Sequence, residues 1–134
     1  TLSVGVGFLG GRVDHELACF HSLLRHCDKA AILLSETDAV TLLPPHGTLQ
    51  LPIGTRLSLF PMAPVSVTTK GVLWPLENGL LDPRKRIGTS NKTTETHVTL
   101  VADQPGCLLV IPSEFLMQLI DFRQQSAAWR RIDA

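Results

Sequence analysis

The run Gly10-Gly11-Arg12-Val13-Asp14-His15 joins an apolar segment to a helical pattern, and its residue types suit phosphate chemistry. Backbone N–H groups at a helix N-terminus attract anions, and glycine lets a phosphate come close to the main chain. Arg12 could grip such a phosphate in a planar fork, and Asp14 could hold a divalent cation through oxygen. A plainer role fits the same residues: Asp14 stabilises the first helical turn and Arg12 is solvated. On spacing alone the plainer role is favoured, because Gly-Gly-Arg-x-Asp is far less specific than a phosphate-loop sequence.

A second group lies further along. Trp74 stands at the end of a strand pattern, beside Pro75, and a polar turn leads back to Gly88-Thr89-Ser90-Asn91. A tryptophan ring left partly open can stack on a heteroaromatic cation and gain about 1 kcal/mol. The hydroxyls of Thr89 and Ser90 and the Asn91 amide can read the donors and acceptors of such a ring. Taken singly, a tryptophan at a strand end is as often core as platform, and Thr-Ser-Asn is more often a turn than a site. Their pairing carries the signal. A zinc site is not expected, since Asp14 and His21 share a helical face but no third ligand has suitable spacing.

The elements that must hold these groups follow from periodicity. Val4 to Leu9 reads as a short buried strand ending at Gly10-Gly11. Val13, Leu17, Phe20 and Leu24 fall on one face of a helix from about Arg12 to His26. Ala30–Ser35 and Ala39–Leu43 are further strands, the latter closed by Pro44-Pro45. Residues 1–47 are therefore a strand–helix–strand–strand piece of an α/β layer. From Thr48 the pattern alternates: Leu49, Leu51 and Ile53, then Leu57 and Leu59, Val65 and Val67, Val98 and Leu100, and finally Cys107 to Pro112. Short strands between Pro- and Gly-containing turns predict an antiparallel β-sandwich over residues 48–112. Residues 113–134 are predicted as a C-terminal helix with Ser113 as N-cap and Phe115, Leu119, Phe122 and Trp129 near one stripe.

Composition bounds the rest. The 134 residues are 44% hydrophobic and 18% charged, enough for a core and too few charges for a disordered chain. Twelve basic residues balance twelve acidic ones, which gives no reason to expect a nucleic-acid partner. Arg84-Lys85-Arg86 reads as a solvated turn. No apolar run is long enough to span a bilayer, and Cys19, Cys27 and Cys107 read as reduced, buried thiols of a cytoplasmic protein.

Four segments in order, GGRVDH (10–15), VTTKGVLWPLENGLL (67–81), GTSN (88–91) and GCLLVIP (106–112), resemble thiamine pyrophosphokinases. The resemblance covers about residues 4 to 112. It implies a homodimer in which thiamine lies between the α/β domain of one subunit and the β-sandwich of the other. Trp74 would stack on thiamine, Ser90 would hydrogen-bond its aminopyrimidine, and Thr89 and Asn91 would shape the loop. Gly10, Gly11 and Arg12 would meet the nucleotide, with Arg12 and Asp14 as catalytic groups facing the ATP phosphates and Asp14 touching Mg2+. The implied reaction moves a pyrophosphoryl group from ATP to thiamine, giving thiamine diphosphate and AMP.

Some positions depart from the family pattern. Val13 stands for the usual aromatic residue, Val72 for the usual leucine, and Lys92 follows GTSN where an acidic residue is frequent. The family's magnesium-binding acids lie upstream of GGRxDH, whereas three residues precede the first strand here. The expectation is a C-terminal part that supplies thiamine binding and dimerisation and is inactive alone. The competing expectation is a non-catalytic β-sandwich module that binds another ligand or only a partner chain.

Overall fold

The computed structural model describes residues 1–132. The chain opens with a parallel strand–helix–strand unit: β1 (Leu2–Val6), α1 (Val13–Arg25) and β2 (Ala30–Leu34), with Leu2 opposite Ala30 and Val6 opposite Leu34. Parallel neighbours need a crossover, and α1 supplies it. The other pairings are antiparallel. β3 (Asp38–Leu42) returns along β2, then come β4 (His46–Gln50), β5 (Arg56–Pro61), β6 (Val65–Lys70), β7 (Gly79–Leu81), β8 (Gly88–Lys92), β9 (His97–Ala102) and β10 (Cys107–Pro112).

Two sheets result. One has the order β1-β2-β3-β10-β5-β8, the other β4-β9-β6-β7. The α/β piece and the sandwich, which read as separate in sequence, share the first sheet, because β10 lies between β3 and β5. Period-2 alternation divides the faces of that sheet. Ile32, Leu57, Leu59, Leu109 and Ile111 point toward the second sheet, where they join Val67, Val98 and Leu100 in the main core. Leu33, Val40, Leu42 and Leu108 point the other way and pack with Leu23 and Cys27 beneath α1.

Several expected details change. β1 is not buried: Val6 is 69% exposed, because β1 is the outer edge of its sheet. The expected apolar face of α1 is also largely open, with Val13 and Leu17 exposed and Leu23 as the helix's buried residue. Only the C-terminal half of that face is covered, where Phe20 and Leu24 pack half-buried against the cluster of Leu33, Val40 and Leu42. The alternation through Ile53 outruns its strand, for β4 ends at Gln50 and Ile53 sits exposed in the turn before Gly54. Cys19 is half-exposed, while Cys27 and Cys107 are buried as expected.

The C-terminal helix is shorter than its apolar stripe suggested. A 3-10 turn (Ser113–Phe115) precedes α2 (Leu116–Gln125), and Ser126 is already extended. Ser113 caps nothing; its hydroxyl donates to the Glu36 carbonyl. Trp129 lies on the segment beyond α2 and donates its ring N–H to the Leu43 carbonyl at 2.7 Å. Arg123, buried on α2, donates to the neighbouring Leu42 carbonyl. These two donors tie the end of β3 to the C-terminal segment, which a helix continued past Gln125 would have carried away. Residues 133 and 134, the end of the expected helix, lie outside the described residues.

Candidate functional site

The β6–β7 connection, residues 71–78, is clamped at its neck. The Thr69 N–H donates to the Leu76 carbonyl at 2.9 Å, and the Leu76 N–H donates to the Thr69 hydroxyl at 2.8 Å. The Asn78 N–H donates to the Thr68 hydroxyl, and Asn78 itself takes a left-handed conformation in the Glu-Asn-Gly turn. Gly71 starts the loop at φ +87°, and a Cβ there would lie 2.6 Å from the His97 carbonyl oxygen. Only glycine allows the chain to leave β6 at that point. The loop then pairs with the edge of the other sheet: Val72 bridges Thr93, and the Leu73 N–H donates to the Lys92 carbonyl. Trp74 is thereby held across the open end of the sandwich, 59% exposed.

β8 supplies the opposite wall. Its pairing with β5 runs from Leu57–Asn91 to Leu59–Gly88, so β8 carries one residue more than β5 between these pairs. That bulge turns Ser90 to φ 64°, a conformation costing a side-chain-bearing residue about 1 kcal/mol or more. The Ser90 N–H is compensated by the Ser58 hydroxyl at 2.9 Å. Stored strain of this kind clusters at functional sites. Asn91, beyond the bulge, turns its amide onto Trp74: Oδ1 accepts from the Trp74 N–H at 3.1 Å and Nδ2 donates to the Trp74 carbonyl at 3.0 Å.

Between these walls lies a cavity of about 200 Å3. Leu57, Leu59, Leu76 and Leu81 form its apolar floor, and Trp74, Arg86, Thr89 and Asn91 stand at its rim. Pockets that enclose a whole drug-sized ligand run to roughly 300–1,000 Å3. This one suits a single flat ring, with the remainder of a ligand left outside. Of the residues the sequence singled out, the structure gathers Trp74, Thr89 and Asn91 around the cavity; Ser90 is adjacent and exposed.

Gly10, Gly11, Arg12 and Asp14 lie elsewhere. They follow β1, at one edge of the six-stranded sheet, whereas β8 is the other edge, five strand positions away. At about 4.8 Å per strand this is roughly 24 Å. Arg12 directs its fork at Asp14, Nε to Oδ1 at 3.1 Å and a terminal nitrogen to Oδ2 at 2.5 Å. That fork holds the Asp14 carboxyl below its ordinary value. Both side chains are exposed, so an anion and a cation could exchange for this mutual pairing at little cost. Among the described residues no three His, Cys, Asp or Glu side chains gather as a metal site.

One feature escaped the sequence reading. Asp82 is buried, and its carboxylate accepts from the Arg84 backbone N–H and from both arms of the Arg84 guanidinium. These bonds pull its pKa down to about 2 and order the turn that carries Arg86 to the cavity rim. The Asp82-Pro83 pair is a turn signal, but nothing local indicated that this acid would be buried.

Residues 47–106 match the family model described as thiamin pyrophosphokinase, vitamin B1 binding domain. Thiamine pyrophosphokinase 1 of Oryza sativa subsp. japonica is 33% identical over 105 residues, covering 73% of this chain and 40% of the relative. The chain is similar to the C-terminal part of thiamine pyrophosphokinases. It spans about 40% of the length of the curated relatives it matches. Its fold is that of two solved thiamin pyrophosphokinases. The Geobacillus thermodenitrificans structure aligns with TM-score 0.70 at 23% identity, covering 84% of this chain and 54% of that one. The Candida albicans structure aligns with TM-score 0.76 at 14% identity, covering 84% and 44%. The matched vitamin B1 binding domain contains the loop of Trp74, the bulge at Ser90 and the cavity between them, while Gly10 to Asp14 fall before it.

Proposed function

We propose that this chain is the thiamine-binding and dimerisation part of an enzyme that transfers pyrophosphate from ATP to thiamine, yielding thiamine diphosphate and AMP. The observation that carries the reading is the cavity beneath Trp74, held by the GTSN strand inside the vitamin B1 binding domain. One ring of thiamine enters over the leucine floor and stacks on Trp74, with Thr89 and Ser90 as polar partners and Asn91 holding the platform. Residues 48–112 form the thiamine unit; residues 1–47 contribute Gly10, Gly11, Arg12 and Asp14 to the nucleotide unit.

In the proposed reaction Arg12 holds an ATP phosphate. Asp14 would hold Mg2+ through a carboxylate oxygen, and the metal would supply charge neutralisation for the transferred group; Trp74 would align thiamine's hydroxyl for attack. The separation of roughly 24 Å between the two sheet edges argues that both groups of one chain cannot serve one thiamine. A homodimer resolves this, with Trp74 of one subunit facing Asp14 of its partner. The balanced charge and the free cysteines favour a cytoplasmic setting.

The test uses a chain extended by the upstream α/β segment, with Asp14→Asn in one preparation and Trp74→Ala in another. With thiamine held well below saturation, each homodimer is expected to release little AMP. Mixed dimers are expected to recover activity, because one of their two sites then combines an intact Asp14 with an intact Trp74 from the other subunit. No recovery in verified mixed dimers would contradict the shared site. Magnesium-dependent AMP release by the 134-residue chain alone would contradict the division of labour.

A further inference from the structure

The cavity has a charge of its own, which the thiamine reading does not use. Among the described residues lining it, Arg86 is the charged one; the others are apolar, aromatic, hydroxyl or amide. Arg86 is exposed and has no ion-pair partner among the described residues. The nearest acid in sequence, Asp82, is fully engaged by Arg84. Arg56, which faces Lys92 across β5 and β8, is already paired with Asp38 at 2.6 Å. The backbone holds Arg86 in place: the Asp82 N–H donates to the Arg86 carbonyl at 3.0 Å, and the Lys85 N–H to the Asp82 carbonyl at 2.9 Å. The turn thus presents a spare guanidinium at the cavity mouth, with the exposed Lys85 beside it.

Thiamine carries a permanent positive charge on its thiazolium ring. Stacking on Trp74 suits that ring, but the rim offers it a like charge and no carboxylate. A ligand with the same rings and an anionic tail reverses the balance, since a guanidinium and a phosphate form charge-assisted, forked hydrogen bonds. We propose that this cavity binds thiamine in its phosphorylated form, with Arg86 as the phosphate ligand, so that the chain holds thiamine diphosphate more tightly than thiamine. The proposal rests on the thiamine reading of the cavity and adds an anion subsite to it. The same cavity then retains product, and phosphorylated thiamine competes with the incoming substrate.

Equilibrium binding to the 134-residue chain tests this, with thiamine, thiamine diphosphate and inorganic pyrophosphate as separate probes. Thiamine diphosphate is expected to bind about fivefold or more tighter than thiamine at low ionic strength, the advantage fading near physiological salt and above because the arginine is exposed. Arg86→Gln is expected to abolish the preference while leaving thiamine itself unchanged or slightly tighter. A thermal melt checks that the variant is folded, as its turn is built from backbone bonds. Equal or tighter binding of thiamine, or a preference that survives in Arg86→Gln, overturns the proposal. Pyrophosphate binding as tightly as thiamine diphosphate also overturns it, by reducing the loop to a general basic patch. If the folded chain binds neither thiamine compound, the thiamine reading fails as well; if it binds thiamine alone, only the anion subsite fails.

Discussion

Asn91 fixes the main chain of Trp74 at two points, accepting from its N–H and donating to its carbonyl at 3.1 and 3.0 Å. The ring therefore takes its position from the strand opposite, not from packing, and it can remain 59% exposed without being loose. Trp74→Ala is expected to weaken thiamine binding about tenfold, if stacking is worth roughly 1–2 kcal/mol, with little change in melting temperature. Asn91→Ala should weaken it comparably while leaving the indole present. Calorimetric titration of both variants checks this. Unchanged affinity in Asn91→Ala would remove the positioning role.

Gly71 tests the neck of the loop. Alanine there places a Cβ 2.6 Å from the His97 carbonyl oxygen in a backbone conformation that side-chain-bearing residues avoid. Gly71→Ala is expected to cost about 2 kcal/mol, and the melting temperature should fall by roughly 6 °C. Thiamine binding should fall with it, since the loop that carries Trp74 must shift. A melt matching the parent chain would show that the neck yields freely.

Asp82 gives the chain an acid-sensitive turn. Its folded-state pKa, near 2 because Arg84 bonds its carboxylate, lies below the ordinary aspartate value of about 3.9. A depressed carboxylate stabilises the fold above the unfolded value, and that contribution is lost as pH falls from about 4 toward 2. Asp82→Asn should lower the melting temperature at neutral pH and flatten its dependence between about pH 4 and pH 2. Melting curves at several pH values measure both effects. Parallel pH profiles for the two proteins would deny the linkage.

The thiols should divide by burial. Burial pushes the Cys107 thiol up to about 12 and raises that of Cys27, so neither supplies thiolate at neutral pH. Cys19 is half-exposed. Maleimide treatment of the native chain is expected to modify Cys19 and to reach the other two only after unfolding. Mass mapping of labelled peptides checks the order. Rapid native labelling of Cys107 would contradict the sealed core between the two sheets.

Much of the fold was legible because alternation is local. Leu57 and Leu59, Val65 and Val67, and Val98 and Leu100 each face the core as their spacing required. What local pattern could not carry was pairing between distant segments. That β10 joins β3 to β5, making one sheet of the α/β piece and the sandwich, depends on pairing between segments remote in sequence. The end of α2 was lost for a related reason: Trp129 fits a helical stripe, yet its ring N–H is satisfied by Leu43, on another element. Of the candidate cavity, Trp74, Thr89 and Asn91 were singled out in the sequence by their residue types. The bulge at Ser90 and the Asn91 bonds to Trp74 came only from the register of β5 against β8. Arg86 read as a solvated turn residue because the cavity it edges is built by strands remote in sequence.

The central claim, that thiamine seats on Trp74 at the open end of the sandwich, is tested most directly by the fluorescence of that ring. In a Trp129→Phe chain, shown by its melt to be folded, Trp74 is the one tryptophan left. Titration with thiamine is expected to quench its emission along a saturating curve, weak in affinity but with a defined plateau. Quenching that merely rises in proportion to concentration, as collisions with any exposed indole would give, would contradict the site.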